Sequence, residues 1–249
     1  MIRAILFDLD GTLVQIEKPK ALSYATAVQR LRSFEGCDAR TIEASQEVVG
    51  ATRDVACSPV MDTFTLEDDL DPLTTHYGIT KPRDVLTAVR KAIYDDMVAV
   101  LQIIRDNQWP HTIGLLHITK ETSCSTAVTT VPQLTVALHV LCPLELEQTL
   151  DRILTRDDVR NSKRNSEIYL MVADKLAMPP EEYLVLEDSP TRTRATVAAG
   201  MNVIAVATPF TFTGLHTSEV LAHRWVVHDS EELLNVVQEP IDEHDHTAH

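Results

Sequence analysis

Apolar residues recur along this chain in two rhythms. Residues 2 to 8, "IRAILFD", are a short apolar run ending in aspartate, and "LDGT" follows. Such a run, bounded by an Asp-Gly signal, predicts a buried strand closed by a turn. From Glu17 to about Gln102 the apolar positions fall at helical spacing, as in "ALSYATAVQRLRSF" and "PRDVLTAVRKAIYDDMVAVLQIIRD", with polar, Pro-containing connections between them. That segment is expected to be all-helical. After Trp109-Pro110 the two rhythms alternate. Strands are expected at "STAVTT", "RILT", "YLVLED", "NVIAVA" and "RWVV"; helices are expected at "LTVALHVL", "SEIYLMVADKLA", "TRATVAAG" and "SEELLNVVQ", with one more before "RWVV".

Alternation of this kind implies a doubly wound parallel sheet, because each parallel crossover needs a connection long enough to be helical. The first strand belongs to that sheet, so the helical segment is an insertion after it. The expected organisation is a discontinuous α/β core of residues 1–14 and 106–249, Rossmann-like in topology, with a helical cap at 15–105. In such sheets ligands bind at the carboxyl ends of the strands, where Asp8 and Asp10 stand. Side chains alternate along an extended chain, so these two carboxylates are expected to share a face.

Charge narrows the choice of partner. The 249 residues carry 22 Lys and Arg against 37 Asp and Glu, a net charge of −15, which opposes attraction to nucleic acid or an anionic membrane. A small phosphorylated substrate remains compatible, provided a metal and a few local cations reverse the field in one pocket. No apolar run is long enough to span a bilayer, and Cys37, Cys57, Cys124 and Cys142 form no C-x-x-C pair. Reduced structural thiols in a cytoplasmic protein are the expectation. The polar end "DEHDHTAH" reads as a solvated tail.

"FDLDGTL" at Asp8, Asp10, Gly11 and Thr12, and "VLEDSP" at Glu187 and Asp188, carry a resemblance to the haloacid dehalogenase superfamily. The chain resembles its phosphatase and β-phosphoglucomutase-like branch, with a helical cap after the first motif, over nearly its whole length. The resemblance implies that Asp8 attacks phosphorus to form an aspartyl-phosphate and that Asp10 is the general acid and base. It also implies a Mg2+ ion held by Asp8, the main-chain carbonyl of Asp10, Asp188 and Glu187. Hard oxygen ligands suit that ion. For the phosphate-binding hydroxyl the resemblance points to Thr129, with Thr130 as the adjacent alternative, and a helix start after Pro132 is expected to aim main-chain donors the same way. For the phosphate-binding lysine it points to Lys163 in "KRNSEIY", whose frame to Tyr169 is kept although both prolines usual in the family are missing.

Two departures from the family pattern stand out. Relatives tend to have Gly where this chain has Arg192, in "EDSPTRTRA"; a large cation there is expected either to change access to the pocket or to pair with an acid. Early in the cap, Gln15 and Lys20 stand where mutases have Asp and His, which favours a phosphatase of small phosphomonoesters over a mutase. A protein that binds a phosphorylated ligand without turning it over is the remaining alternative.

Overall fold

The N-terminal apolar run forms strand β1 (Ala4–Phe7), in which every residue is buried. A strand buried on both faces belongs inside a parallel sheet, and β1 pairs in parallel with β2 (Ser125–Thr129) on one side and β4 (Tyr183–Glu187) on the other. With β3 (Arg152–Leu154), β5 (Asn202–Val206) and β6 (Val226–Val227), the order across the sheet is β3-β2-β1-β4-β5-β6, parallel throughout. The computed structural model describes residues 1–32, 38–46, 57–158 and 166–239. These fall into two units, Met1–Gln15 with Ile104–His249, and Ile16–Ile103.

Register places the functional end of the sheet. Phe7 is level with Val128 on β2 and with Leu186 on β4, so the next residue of each segment, Asp8, Thr129 and Glu187, falls at one height. The Asp8 N–H donates to the Leu186 carbonyl at 2.9 Å, which carries the pairing one step past β1. Leu6, Ala127 and Val185 lie two residues earlier and share one buried cluster with Ile168, Tyr169, Val172 and Ala195. Those four come from the helices Glu167–Leu176 and Pro190–Ala198. By strand alternation, Asp8, Thr129 and Glu187 face the same two helices.

The second unit is helical: Glu17–Arg32, Asp38–Gln46, Ser58–Phe64, Glu67–Tyr77 and Pro82–Ala99. Its core gathers Tyr24, Val28, Phe64, Leu70, Leu86 and Ile93. The helix Glu67–Tyr77 stops at Gly78, whose φ of 64° an L side chain adopts only with strain. Within the first unit, the chain leaving β1 and the chain returning to the core lie side by side: the Gln15 N–H donates to the Asn107 carbonyl at 2.7 Å and the Trp109 N–H to Leu13 at 2.9 Å.

At the far edge, "RWVV" is less of a strand than its pattern suggests. Residues His223–Trp225 form a 3-10 turn and only Val226–Val227 pair, as suits an edge strand with one neighbour. "SEELLNVVQ" likewise opens on a 3-10 turn, Ser230–Glu232, before a helix over 233–239. Cys57, Cys124 and Cys142 form no disulfide; Cys37 and the polar tail lie outside the described residues. No helix among the described residues is long and apolar enough to cross a membrane.

Where β3 joins the sheet, Asp151 meets Thr126 twice. Its N–H donates to the Thr126 carbonyl and its carboxylate accepts from the buried Thr126 N–H, each at 2.9 Å, while Lys120 pairs with the same carboxylate. The Lys120 hydrogen bond and then the Thr126 N–H hold the Asp151 carboxyl below its ordinary range. A lowered folded value contributes stability that is fully present above the ordinary carboxylate pKa and is lost as pH falls through the lowered one. Asp151→Ala is therefore expected to reduce unfolding stability by about 1–3 kcal/mol at pH 7, the cost of a buried donor without its acceptor. Urea denaturation at pH 7 and near pH 3 checks this; the gap between wild type and variant should shrink at the lower pH.

Candidate active site

The turn after β1 is built for carboxylates. Asp8 is buried at the strand end, Leu9 goes into the core, and Asp10 is half-buried. Gly11 then takes φ 89° and donates its N–H to the Val14 carbonyl at 2.8 Å, closing a turn that only glycine enters without strain. Beside it, β4 ends in Glu187, followed by Asp188 and by Ser189, the cap of the helix Pro190–Ala198. Proline at the first position of that helix starts it sharply, which fixes Asp188 between a strand end and a helix start. Asp8, Glu187 and Asp188 are all buried, and each offers an oxygen within 4.8 Å of the others.

One cation sits among them. Arg192, itself buried, places Nη2 3.0 Å from Asp8 Oδ1 and Nε 2.7 Å from Glu187 Oε2. The same Nη2 donates to the Thr129 main-chain carbonyl at 2.8 Å. Its guanidinium lies 5.7 Å from the centre of the Tyr169 ring, a stacking distance at which a desolvated cation is stabilised by the ring face. Glu187 is further held by the Tyr169 hydroxyl, which donates to Oε2 at 2.9 Å, and by the Ser189 N–H, which donates to Oε1 at 3.2 Å.

Burial drives the electrostatics. Loss of solvent pushes the Asp8 carboxyl well above its ordinary range; Arg192 opposes that rise, while the charges of Glu187 and Asp10 add to it. Burial likewise raises the Tyr169 phenol, which stays protonated and so remains a donor to Glu187. Arg192 resists burial because Asp8 and Glu187 favour its charged form.

Among the residues expected at the site, Asp8, Thr129, Glu187 and Asp188 converge on this edge and Asp10 follows two residues after Asp8. Thr129 Oγ1 is buried with no hydrogen-bond partner among the described residues, a donor available to an anion. Thr130, the neighbouring candidate, donates its N–H to Leu154 at 2.9 Å and so continues the pairing with β3. The helix expected after Pro132 runs Leu134–Leu141, and its leading N–H, that of Leu134, is taken by Asp157 Oδ2 at 2.9 Å. Lys163 lies outside the described residues. Lys20 is half-buried on the helix Glu17–Arg32 of the other unit.

The buried oxygen donors of Asp8, Glu187 and Asp188 suit a hard divalent cation such as Mg2+. Arg192 claims an oxygen of two of them, and the pattern of residue types alone gave no sign of which acids it would meet. Tyr169 was legible only as a position in the lysine motif; its hydroxyl as a buried donor to Glu187 was not.

A model of the haloacid dehalogenase-like hydrolase family matches residues 5–206, from β1 to the end of β5. The chain belongs to this family. Among relatives of the hydrolase, a phosphorylated carbohydrates phosphatase of Thermotoga maritima is 26% identical over 204 residues, 82% of this chain and 84% of that one. A phosphoglycolate phosphatase of Salmonella typhi is 26% identical over 207 residues, 80% of this chain and 79% of that one. The solved structure of a β-phosphoglucomutase from Clostridium difficile shares the fold, with a TM-score of 0.65 and 19% identity, covering 98% of this chain and 99% of that one.

Tyr169 offers a direct check on the buried network of this hydrolase. Tyr169→Phe removes the donor to Glu187 Oε2 and leaves the ring in place. Hydrogen bonds to charged groups contribute about 1.5–3 kcal/mol, and Glu187 keeps two other donors, so a loss of about 1.5 kcal/mol is expected in urea denaturation. An unchanged midpoint would remove the bond from the network.

Proposed function

We propose that the chain is a magnesium-dependent phosphatase that hydrolyses a small phosphomonoester, sugar phosphates included, through an aspartyl-phosphate on Asp8. The observation that carries this reading is the grouping at the sheet edge: Asp8 level with Thr129 and Glu187, and Asp188 within the same buried acidic cluster. The phosphatase names of the relatives support it.

Asp8 is assigned as the nucleophile. A carboxylate oxygen of Asp8 attacks phosphorus; the bond to the leaving oxygen breaks, and that oxygen takes its electron pair and a proton from Asp10. In the second half, Asp10 removes a proton from water as the water oxygen attacks the phosphoryl group. The bond to Asp8 breaks, the carboxylate is regenerated and inorganic phosphate leaves. The Thr129 hydroxyl donates to a phosphoryl oxygen, and Lys163 is assigned to offset the phosphoryl charge. Asp8, Asp188 and the Asp10 carbonyl would hold Mg2+, which would supply positive charge to offset the negative charge of the reacting groups. Glu187, with both oxygens accepting hydrogen bonds, is assigned to holding Arg192 and to the rim of the metal site.

Phosphate release from a panel of sugar phosphates, phosphoglycolate and nucleotides tests the reading. Asp8→Asn should abolish release while the circular dichroism spectrum stays that of the wild type; turnover at the wild-type rate would remove Asp8 from the mechanism. Excess chelator should stop release and Mg2+ restore it, and full activity in chelator would defeat the metal assignment. Incubation with β-glucose 1-phosphate and a bisphosphate primer, followed by phosphorus NMR, should give free phosphate. Efficient formation of glucose 6-phosphate would make the chain a mutase.

A further inference from the structure

Arg192 occupies a position that helix energetics disfavour. It is the third residue of the helix Pro190–Ala198, and a cation in a first helical turn is repelled by the partial positive charge of that end. The guanidinium also gives up its hydration, since the residue is 7% exposed. Its neighbours account for its place: Asp8 at 3.0 Å, Glu187 at 2.7 Å, the Thr129 carbonyl at 2.8 Å and the Tyr169 ring. These contacts engage two of the three carboxylates that could hold a metal ion, and an arginine side chain stays charged at any working pH.

We propose that Arg192 is a resident cation of the acidic cluster, one that supplies part of the charge balance a divalent ion would supply and thereby weakens divalent-metal binding. The inference rests on the assignment of this cluster as the metal site. Two cations that share Asp8 repel each other in a buried, low-dielectric setting, and the Glu187 oxygen that accepts from Arg192 Nε is a poorer metal ligand for doing so. Metal and arginine therefore compete for Asp8. In this hydrolase a metal ion is held more loosely than the three acids alone would hold it.

The test is binding by the full chain, measured without turnover. After chelation and dialysis, wild type, Arg192→Ala and Arg192→Gln are titrated with Mn2+ by electron paramagnetic resonance, and thermal melts are recorded with and without Mg2+. Both variants should bind Mn2+ at least about tenfold more tightly than wild type. Their melting temperatures should fall without metal, because the buried acids then lose the charge of Arg192, and should rise more than that of wild type when Mg2+ is added. Arg192→Gln keeps a hydrogen-bond donor without the charge and so separates charge from packing.

If Arg192→Ala does not fold alone, refolding it in Mg2+ should rescue it. Failure of both variants to fold in saturating Mg2+ would overturn the proposal, since the guanidinium would then be a structural strut whose charge a metal cannot replace. Equal affinity in wild type and variants, or tighter binding by wild type, would also overturn it while leaving the metal assignment intact. Absence of Mn2+ binding in all three proteins would overturn both.

Discussion

Three carboxylates taken out of water within 4.8 Å of one another need a positive partner, because the desolvation of each and their mutual repulsion both oppose the charged state. Arg192 answers that constraint at the carboxyl edge of the sheet. Arg192 bridges Asp8 after β1 and Glu187 at the end of β4, and reaches the Thr129 carbonyl at the end of β2. One guanidinium thus ties three adjacent strand ends to the helix Pro190–Ala198. Its fork of fixed donors suits this better than a lysine, whose single ammonium cannot present a planar pair of bonds.

The location of the acids follows from topology. β1 lies inside the sheet with β2 on one flank and β4 on the other, so the chain leaves β1 toward one side first and later crosses to the other. Connections diverging from a central strand open a crevice at its carboxyl end. Parallel pairing then brings residues of equal register to equal height, which is how Asp8 and Glu187, 179 positions apart in sequence, become neighbours.

Much of this was legible in the sequence because it depends on local pattern. Buried parallel strands read as apolar runs, and β1, β4 and β5 sit where those runs are, while β2, Ser125–Thr129, is a largely β-branched stretch. Acids at two strand ends, with Gly-Thr after the first and Ser-Pro after the second, marked the turn and the helix start. Legibility ended where an outcome depends on which strands become neighbours. Whether Arg192 would block the pocket or pair with an acid was undecided at sequence level, since its partners lie 184 and 5 residues away and only one of them is near in the chain. The free N-terminus expected for the helix after Pro132 was similarly a local inference, and Asp157, arriving from beyond β3, takes its leading N–H.

In the proposed reading Thr129 serves two charges of opposite sign. Its carbonyl oxygen accepts from the guanidinium of Arg192, while its buried hydroxyl has no hydrogen-bond partner among the described residues. A carbonyl inside a continuing ladder is committed to a neighbouring strand, so its contact with a cation goes with the end of the strand. β2 does end there. The strand terminus, rather than threonine as such, gives the position its value: it frees the carbonyl for Arg192, and on the proposed reading an incoming anion would meet the hydroxyl beside it.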